Sequence, residues 1–242
     1  MLQVNRIYHG DCLELMKKID SNSIDFLFTD LPYGTTKAKF DKPIDLERFW
    51  KEVNRVTKIN ACIALWSQQP YTTDLINSNR KYFKYDWIIE KGRATNFFNV
   101  KYQPLKAHES VLIFYRKPPT YNPQKTKGHP RKISLAKHQK NGKKSANYND
   151  ANAYDYDSTE RYPRTVLKFK WPPQNKCNHS QQKPIEACEY FIRTYTNEGD
   201  IICDCTAGSG TICLAAKKLK RKFIGFELSE NIFDIATKNL QQ

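Results

Sequence analysis

Four consecutive residues, Asp30-Leu31-Pro32-Tyr33, set a carboxylate, a restricted backbone and an aromatic ring side by side. Pro32 lacks an N–H donor and holds Leu31 in extended backbone. Three groups can then face one pocket: the Asp30 carboxylate, the Leu31 carbonyl and the Tyr33 ring. That set suits a flat heterocycle carrying an exocyclic amine. The ring stacks on Tyr33 and the amine donates to the two acceptors. A plain strand-to-loop turn capped by Asp accounts for these four residues equally well. A second group lies far along the chain, Asp204-Cys205-Thr206-Ala207-Gly208-Ser209-Gly210-Thr211. Two glycines two apart at a strand-to-helix turn let a ligand approach the backbone closely. Gly225-Phe226-Glu227 follows, and an acid at the end of that strand is placed to accept from the two hydroxyls of a ribose. A dinucleotide fingerprint fits less well, because Cys213 stands where its third glycine belongs.

These residues need elements to hold them. Residues 23–29 form an apolar, β-branched and aromatic run of strand length, so Asp30 sits at a strand's carboxyl end. In open α/β sheets ligands bind at that edge. Residues 201–203 and 222–226 read as two further buried strands, the first opening a helix over 211–219. The pattern also predicts strands at 4–9, 61–66, 85–90 and 108–117, and helices at 12–19, 45–58, 71–77, 183–195 and 231–240. Leu46, Phe49, Trp50, Val53 and Val56 form the core stripe of the 45–58 helix. Residues 34–43 and 91–103 read as loops, the second with Phe97-Phe98 among Lys and Arg. Aromatics interleaved with bases suit either unstacked nucleotides or a buried anchor. Alternation of this kind implies an α/β fold, a doubly wound, mostly parallel sheet.

Together these residues resemble the amino-group DNA methyltransferases, which use S-adenosylmethionine (SAM). Asp30–Tyr33 is similar to the family's Asp/Ser/Asn-Pro-Pro-Tyr/Phe catalytic motif, and residues 204–211 to its glycine-rich cofactor motif. His179-Ser180-Gln181-Gln182-Lys183-Pro184 resembles the family's His-Pro-Thr-Gln-Lys-Pro. Gly10-Asp11 and His108-Glu109 also match family positions. The catalytic motif precedes the cofactor motif, as in the β group. The resemblance covers residues 4–117 and 176–240. It implies catalysis by Asp30, Leu31, Pro32 and Tyr33. It implies a SAM site at Asp11, Asp30, His179, Lys183, Asp204, Thr206, Ala207, Gly208, Ser209, Gly210, Thr211 and Glu227, with Asp11 near the adenine amine. Asp11 also suits a helix N-cap. No metal is implied. Leu31 replaces the family's first Pro, so a less rigid turn is expected, and Thr206 replaces a usual Phe.

The resemblance further implies a catalytic half at 1–117, a target-recognition insertion at 118–175 and a cofactor half at 176–242. From Arg116 to Lys144 there are ten Lys or Arg and no acid, which suits phosphate contact. Residues 145–160 turn acidic and Tyr-rich and receive no assignment. Arg131, Arg161 and Arg164 are candidates for guanine contacts. The substrate implied is double-stranded DNA, methylated at adenine N6 in a flipped-out base. Asp in the first motif position leans to adenine, and Ser to cytosine N4. Cytosine N4, an inactive DNA-binding subunit, and RNA or protein substrates stay open. So do a homodimer and a cognate restriction nuclease.

Composition agrees. A net charge of +15 over 242 residues points to a polyanionic partner. Seven cysteines without a Cys-x-x-Cys pair point to a reducing cytoplasm rather than disulfides. The spacing of Cys177, His179 and Cys188 fits no zinc template. No run approaches the ~20 apolar residues of a membrane span, and the N-terminus lacks a signal-peptide core.

Overall fold

A computed structural model describes residues 2–34, 42–136, 154–171 and 183–241. The expected loop over 34–43 and His179 fall largely or wholly outside them. The chain divides into two compact units, residues 1–122 with 165–242, and residues 123–164.

The larger unit is built on one eight-stranded sheet. Its strands are β1 (Arg6–His9), β2 (Ile24–Thr29), β3 (Thr57–Ser67), β4 (Phe83–Thr95), β5 (Lys106–Phe114), β8 (Val166–Phe169), β9 (Ile201–Asp204) and β10 (Lys222–Glu227). They lie in the order β1-β10-β9-β2-β3-β5-β4-β8. Only β5 runs against the others. The sheet is therefore mostly parallel, as the alternating pattern requires.

Helices cover both faces, which explains why β2 is apolar on both sides. Phe26 and Phe28 point into one core with Trp66, Phe191 and Tyr195. That face carries α4 (Ile185–Tyr195), α5 (Thr211–Lys218) and α6 (Glu230–Gln241). Leu27 points the other way, into a core with Met16, Phe49, Trp50 and Leu75. That face carries α1 (Cys12–Met16), α2 (Leu46–Val56) and α3 (Tyr71–Ser78). Asp45 caps α2 by accepting from Arg48 N at 3.1 Å. The expected stripe Phe49, Trp50, Val53 and Val56 is fully or nearly fully buried, with Leu46 packed at its edge. No helix among the described residues is long and apolar enough to cross a membrane.

β3 begins at Thr57, where the 45–58 helix was expected to continue, and two further differences bear on the site. β4 continues five residues past Glu90, to Thr95, where a loop was expected. Its extension is paired on both sides: Glu90 opposes His108, Thr95 opposes Lys106, and Lys91 opposes Phe169 of β8. Partners remote in sequence outweigh the weak strand signal of Lys-Gly-Arg. β8 itself lies in the stretch assigned to the insertion, yet it forms an edge of this sheet.

The smaller unit contains the antiparallel pair β6 (Lys132–Ser134) and β7 (Tyr156–Ser158). Arg131 Nε and Nη2 grip Asp157 at 2.7 and 2.5 Å. Arg161 donates to the carbonyls of Ser158, Glu160 and Pro130. Two of the three arginines offered as guanine readers are thus occupied in holding this unit together. The acidic, Tyr-rich stretch that had no assignment supplies all of their partners named here except the Pro130 carbonyl.

Gly225 tests the close packing of β10. A Cβ there would stand 2.8 Å from Cys213 Sγ and 3.0 Å from Ile7 Cγ1. Gly225→Ala should cost about 1–3 kcal/mol through overpacking. Urea unfolding should show a lower midpoint at unchanged slope; an unaltered midpoint would mean that β10 has slack.

Candidate active site

Parallel pairing brings four strand ends to one edge. His9 opposes Glu227, Gly225 opposes Asp204, and Leu27 opposes Cys203. From β9 the chain crosses toward β10, and from β2 it crosses toward β3, on the opposite side. The order reverses between β2 and β9, and a crevice opens outside the carboxyl ends of such strands. Asp30 follows β2 and the glycine turn follows β9, so both border this crevice.

The two turns are tied together by hydroxyls. Thr206 Oγ1 donates to the Asp30 carbonyl at 2.9 Å. Thr29 Oγ1 donates to Asp204 Oδ1 at 2.9 Å and lies 2.8 Å from Thr206 Oγ1. Thr206, a departure from the family pattern, is therefore a clasp here. Leu31 also differs from expectation. Its side chain is 1% exposed and joins the core beneath α1 and α2. Burial, rather than a second proline ring, anchors the turn.

The Asp30 carboxylate is held from two sides. Oδ1 accepts from Tyr33 Oη at 2.6 Å, and Oδ2 lies 2.8 Å from Lys183 Nζ. The Tyr33 ring packs on Tyr71 with centroids 5.3 Å apart. Lys183, just before α4, also lies 3.1 Å from Glu109 Oε2, and Glu109 Oε1 lies 2.6 Å from Lys91 Nζ. Lys183 Nζ sits 5.2 Å from the centre of the Trp66 ring. Four charges thus alternate in sign from the crevice to β4. Burial alone would lower the Lys183 ammonium, but Asp30 and Glu109 outweigh it and the group is raised. Burial likewise pushes Glu109 up, and Lys183 and Lys91 overcome it, leaving the carboxyl below its ordinary value. The sequence marks His108-Glu109 as a pair without giving Glu109 a role. His108 is exposed on β5, while the alternation of that strand turns Glu109 inward.

The glycine turn and Glu227 form the other wall. Glu227 Oε2 accepts from Gly208 N and Oε1 from Ser229 N, each at 2.9 Å. Gly208 has φ +52°, and the space its Cβ would fill is open. Gly210 has φ +80° and its Cβ would meet Ile7 and Ala236 within 3.3 Å. The first glycine leaves room for a ligand; the second lets α5 pack against β1 and α6. Ala207 N donates to Phe226 O, and Asn239 Nδ2 to Ser209 O. Ser209 and Thr211 are buried, their hydroxyls 3.2 Å apart. Asp11 follows Gly10, whose N–H donates to the Glu227 carbonyl. Its side chain caps α1, accepting from Leu13 N at 2.7 Å and Glu14 N at 3.3 Å. Asp204 Oδ2 is buried with no hydrogen-bond partner among the described residues. Burial raises the Asp204 carboxyl to about 7 despite the bonds from Thr29 and Thr206. An open cradle, an acceptor pair on Glu227 and an orphaned carboxylate oxygen fit a cationic nucleoside ligand. Every expected site residue among those described borders this edge or supports it, and His179 lies outside them.

The two buried carboxyls act on stability with opposite signs. Glu109, depressed when folded, stabilises above the ordinary carboxylate range, and that contribution is lost as pH falls through its folded value. Asp204 favours the folded state below its unfolded value of 3.8, and that contribution is lost as pH rises toward about 7. Asp204→Asn should therefore remove a decline in urea midpoint across this window. A decline of unchanged size in the variant would refute the assignment. Lys183→Met leaves Asp30 and Glu109 facing each other without their shared cation. It should cost about 3–5 kcal/mol of unfolding free energy, read by the same titration.

A family model described as DNA methylase, of the N6/N4 methyltransferases, matches residues 24–238. Among curated proteins, the type II methyltransferase M.BamHI of Bacillus amyloliquefaciens is 27% identical over 93% of this chain. The chain spans 55% of that protein's length. Among solved structures, the M1.HpyAVI–SAM complex matches with TM-score 0.66 and 22% identity, covering 98% of this chain and 99% of that one. The PvuII DNA methyltransferase, titled cytosine-N4-specific, matches with TM-score 0.65 and 18% identity, covering 96% of this chain and 84% of that one. These likenesses are to the fold, and the family match spans most of the sequence. The chain belongs to the N6/N4 family of DNA methylases.

Proposed function

We propose that this protein transfers a methyl group from SAM to the N6 amine of adenine in double-stranded DNA, as the modification enzyme of a type II system in the cytoplasm. The observation that carries the reading is the position of Asp30. Its backbone carbonyl is clasped by Thr206 to the glycine turn, and its carboxylate, held by Tyr33 and Lys183, stands at the crevice between β2 and β9. Bound SAM supplies the electrophilic methyl group at its sulfonium. Gly208 would give that ligand room, Glu227 would accept from its ribose, and Asp11 would stand toward its adenine.

A base within a duplex cannot reach this crevice, so the target must be flipped out. Its amine is a poor nucleophile, because the nitrogen lone pair is delocalised into the ring. Asp30 and the Leu31 carbonyl accept its two N–H bonds and favour a tetrahedral nitrogen. As the nitrogen gains positive charge, Asp30 stabilises it more than the neutral ground state. The proton leaves afterwards, so no strong base is required. Both Asp30 oxygens are engaged beforehand. A neutral hydroxyl is released at lower cost than a buried ammonium, so Tyr33 Oη yields and its ring becomes the stacking face. The basic unit at 123–164 and its neighbours supply cations for phosphates.

Unmethylated plasmid should be incubated with protein and SAM, then digested to nucleosides for mass spectrometry. N6-methyladenine is the expected product. N4-methylcytosine, which the likeness to the PvuII enzyme keeps in view, would preserve the mechanism and overturn the base. Asp30→Ala should lower turnover at least about a hundredfold in protein that still unfolds cooperatively in urea. Retained turnover would remove Asp30 from the chemistry.

A further inference from the structure

The β4–β5 hairpin overhangs the catalytic edge. β3 ends at Ser67, in register with Ser110 and hence with Ile88. β4 runs on from Ile88 to Thr95, which opposes Lys106, four residues beyond Ser110 on β5 (110 − 106); the hairpin therefore extends roughly 13 Å at about 3.3 Å per residue, with an irregularity in β4 between Glu90 and Thr95. At the tip stand Phe98, 101% exposed, and Tyr102, 88% exposed, flanked by half-exposed Phe97 and Val100. This tip has defined shape. A short 3-10 turn covers Phe97–Asn99, with Asn96 in the left-handed region and Asn99 bonded to it through both backbone and side chain. Lys106 Nζ donates to Gln68 at 3.2 Å and ties the finger to the loop after β3. At its root Lys91 and Glu109 belong to the ion network that ends on Asp30.

Large aromatic side chains held this far into water call for a partner. Between residues 92 and 108 the finger carries Arg93, Lys101 and Lys106 and no acid. A two-fold contact with a second copy would set those cations against their own images. A polyanion with flat faces answers both features. We propose that the β4–β5 finger is a nucleic-acid contact separate from the basic 123–164 unit. Phe98 and Tyr102 stack on bases unpaired when the duplex opens at the catalytic edge, and Arg93 and Lys101 neutralise the flanking phosphates. Aromatic wedges and platforms of this kind act without reading sequence. The proposal rests on a nucleic acid being the substrate.

The test is fluorescence anisotropy with the full chain, a labelled single-stranded oligonucleotide of about 30 nucleotides and the duplex of the same sequence. Phe98→Ala with Tyr102→Ala should weaken single-strand binding about tenfold per base unstacked. Phe98→Tyr with Tyr102→Phe should keep it within about threefold, and SAM binding should be unchanged in both, confirming that the fold survives. Undiminished affinity in the alanine variant would overturn the proposal. So would sedimentation velocity showing a wild-type dimer that becomes a monomer in that variant, because the patch would then join two copies. Binding is read without methyl transfer. A wild-type protein that leaves DNA unmodified, yet loses single-strand affinity on losing Phe98 and Tyr102, would sink the proposed reaction and leave the finger standing.

Discussion

The ammonium of Lys183, nearly withdrawn from water, is the contact on which the catalytic edge depends. It lies between Asp30 and Glu109, and Lys91 closes the far side of Glu109. No member of this set could be buried alone, because an isolated ion in a protein interior costs several kcal/mol. Together they satisfy one another, and they join three parts of the chain: the turn after β2, the β4–β5 hairpin and the entry to α4. The arrangement is specific rather than merely stabilising. An apolar substitute for Lys183 could fill the same space, but it would leave Asp30 and Glu109 without their shared cation and the Asp30 carboxylate held from the Tyr33 side alone.

Around that contact the sheet supplies position. Parallel strands leave their carboxyl ends on one side, and the reversal of order between β2 and β9 opens a gap there. The hydroxyls of Thr29 and Thr206 hold the two turns across the gap in register. The wall that would carry the methyl donor and the wall that would carry the target amine are therefore one rigid construction. Such a design suits chemistry in which alignment, rather than a strong base, lowers the barrier.

Much of this was legible locally. The apolar run into Asp30, the paired glycines after residues 201–203 and the acid of Gly225-Phe226-Glu227 each declare a strand and a turn within about ten residues. Helix stripes were equally plain, because the 3.6-residue period is a short-range signal. The extension of β4 was hidden, since Lys91–Thr95 has little strand character and is held by β5 and β8. The role of Glu109 was hidden for a related reason. Its inward direction depends on β5 being a central strand, with β3 on one side and β4 on the other. Arg131 and Arg161 were offered as base contacts because two of their partners lie far along the chain, Asp157 26 residues from Arg131 and the Pro130 carbonyl 31 residues from Arg161.

What the sequence determined by itself was which residues sit at the ends of which elements, and hence the chemistry each turn could offer. That follows from the chain's local stereochemistry: alternation, glycine at positive φ, proline after an acid. What only the tertiary structure decided was which turns meet. Thr206 and Asp30 are 176 residues apart in the chain and 2.9 Å apart in the fold. Parallel strands pair only through long crossovers, so strand order is a property of the assembled sheet and is written in no single segment of it.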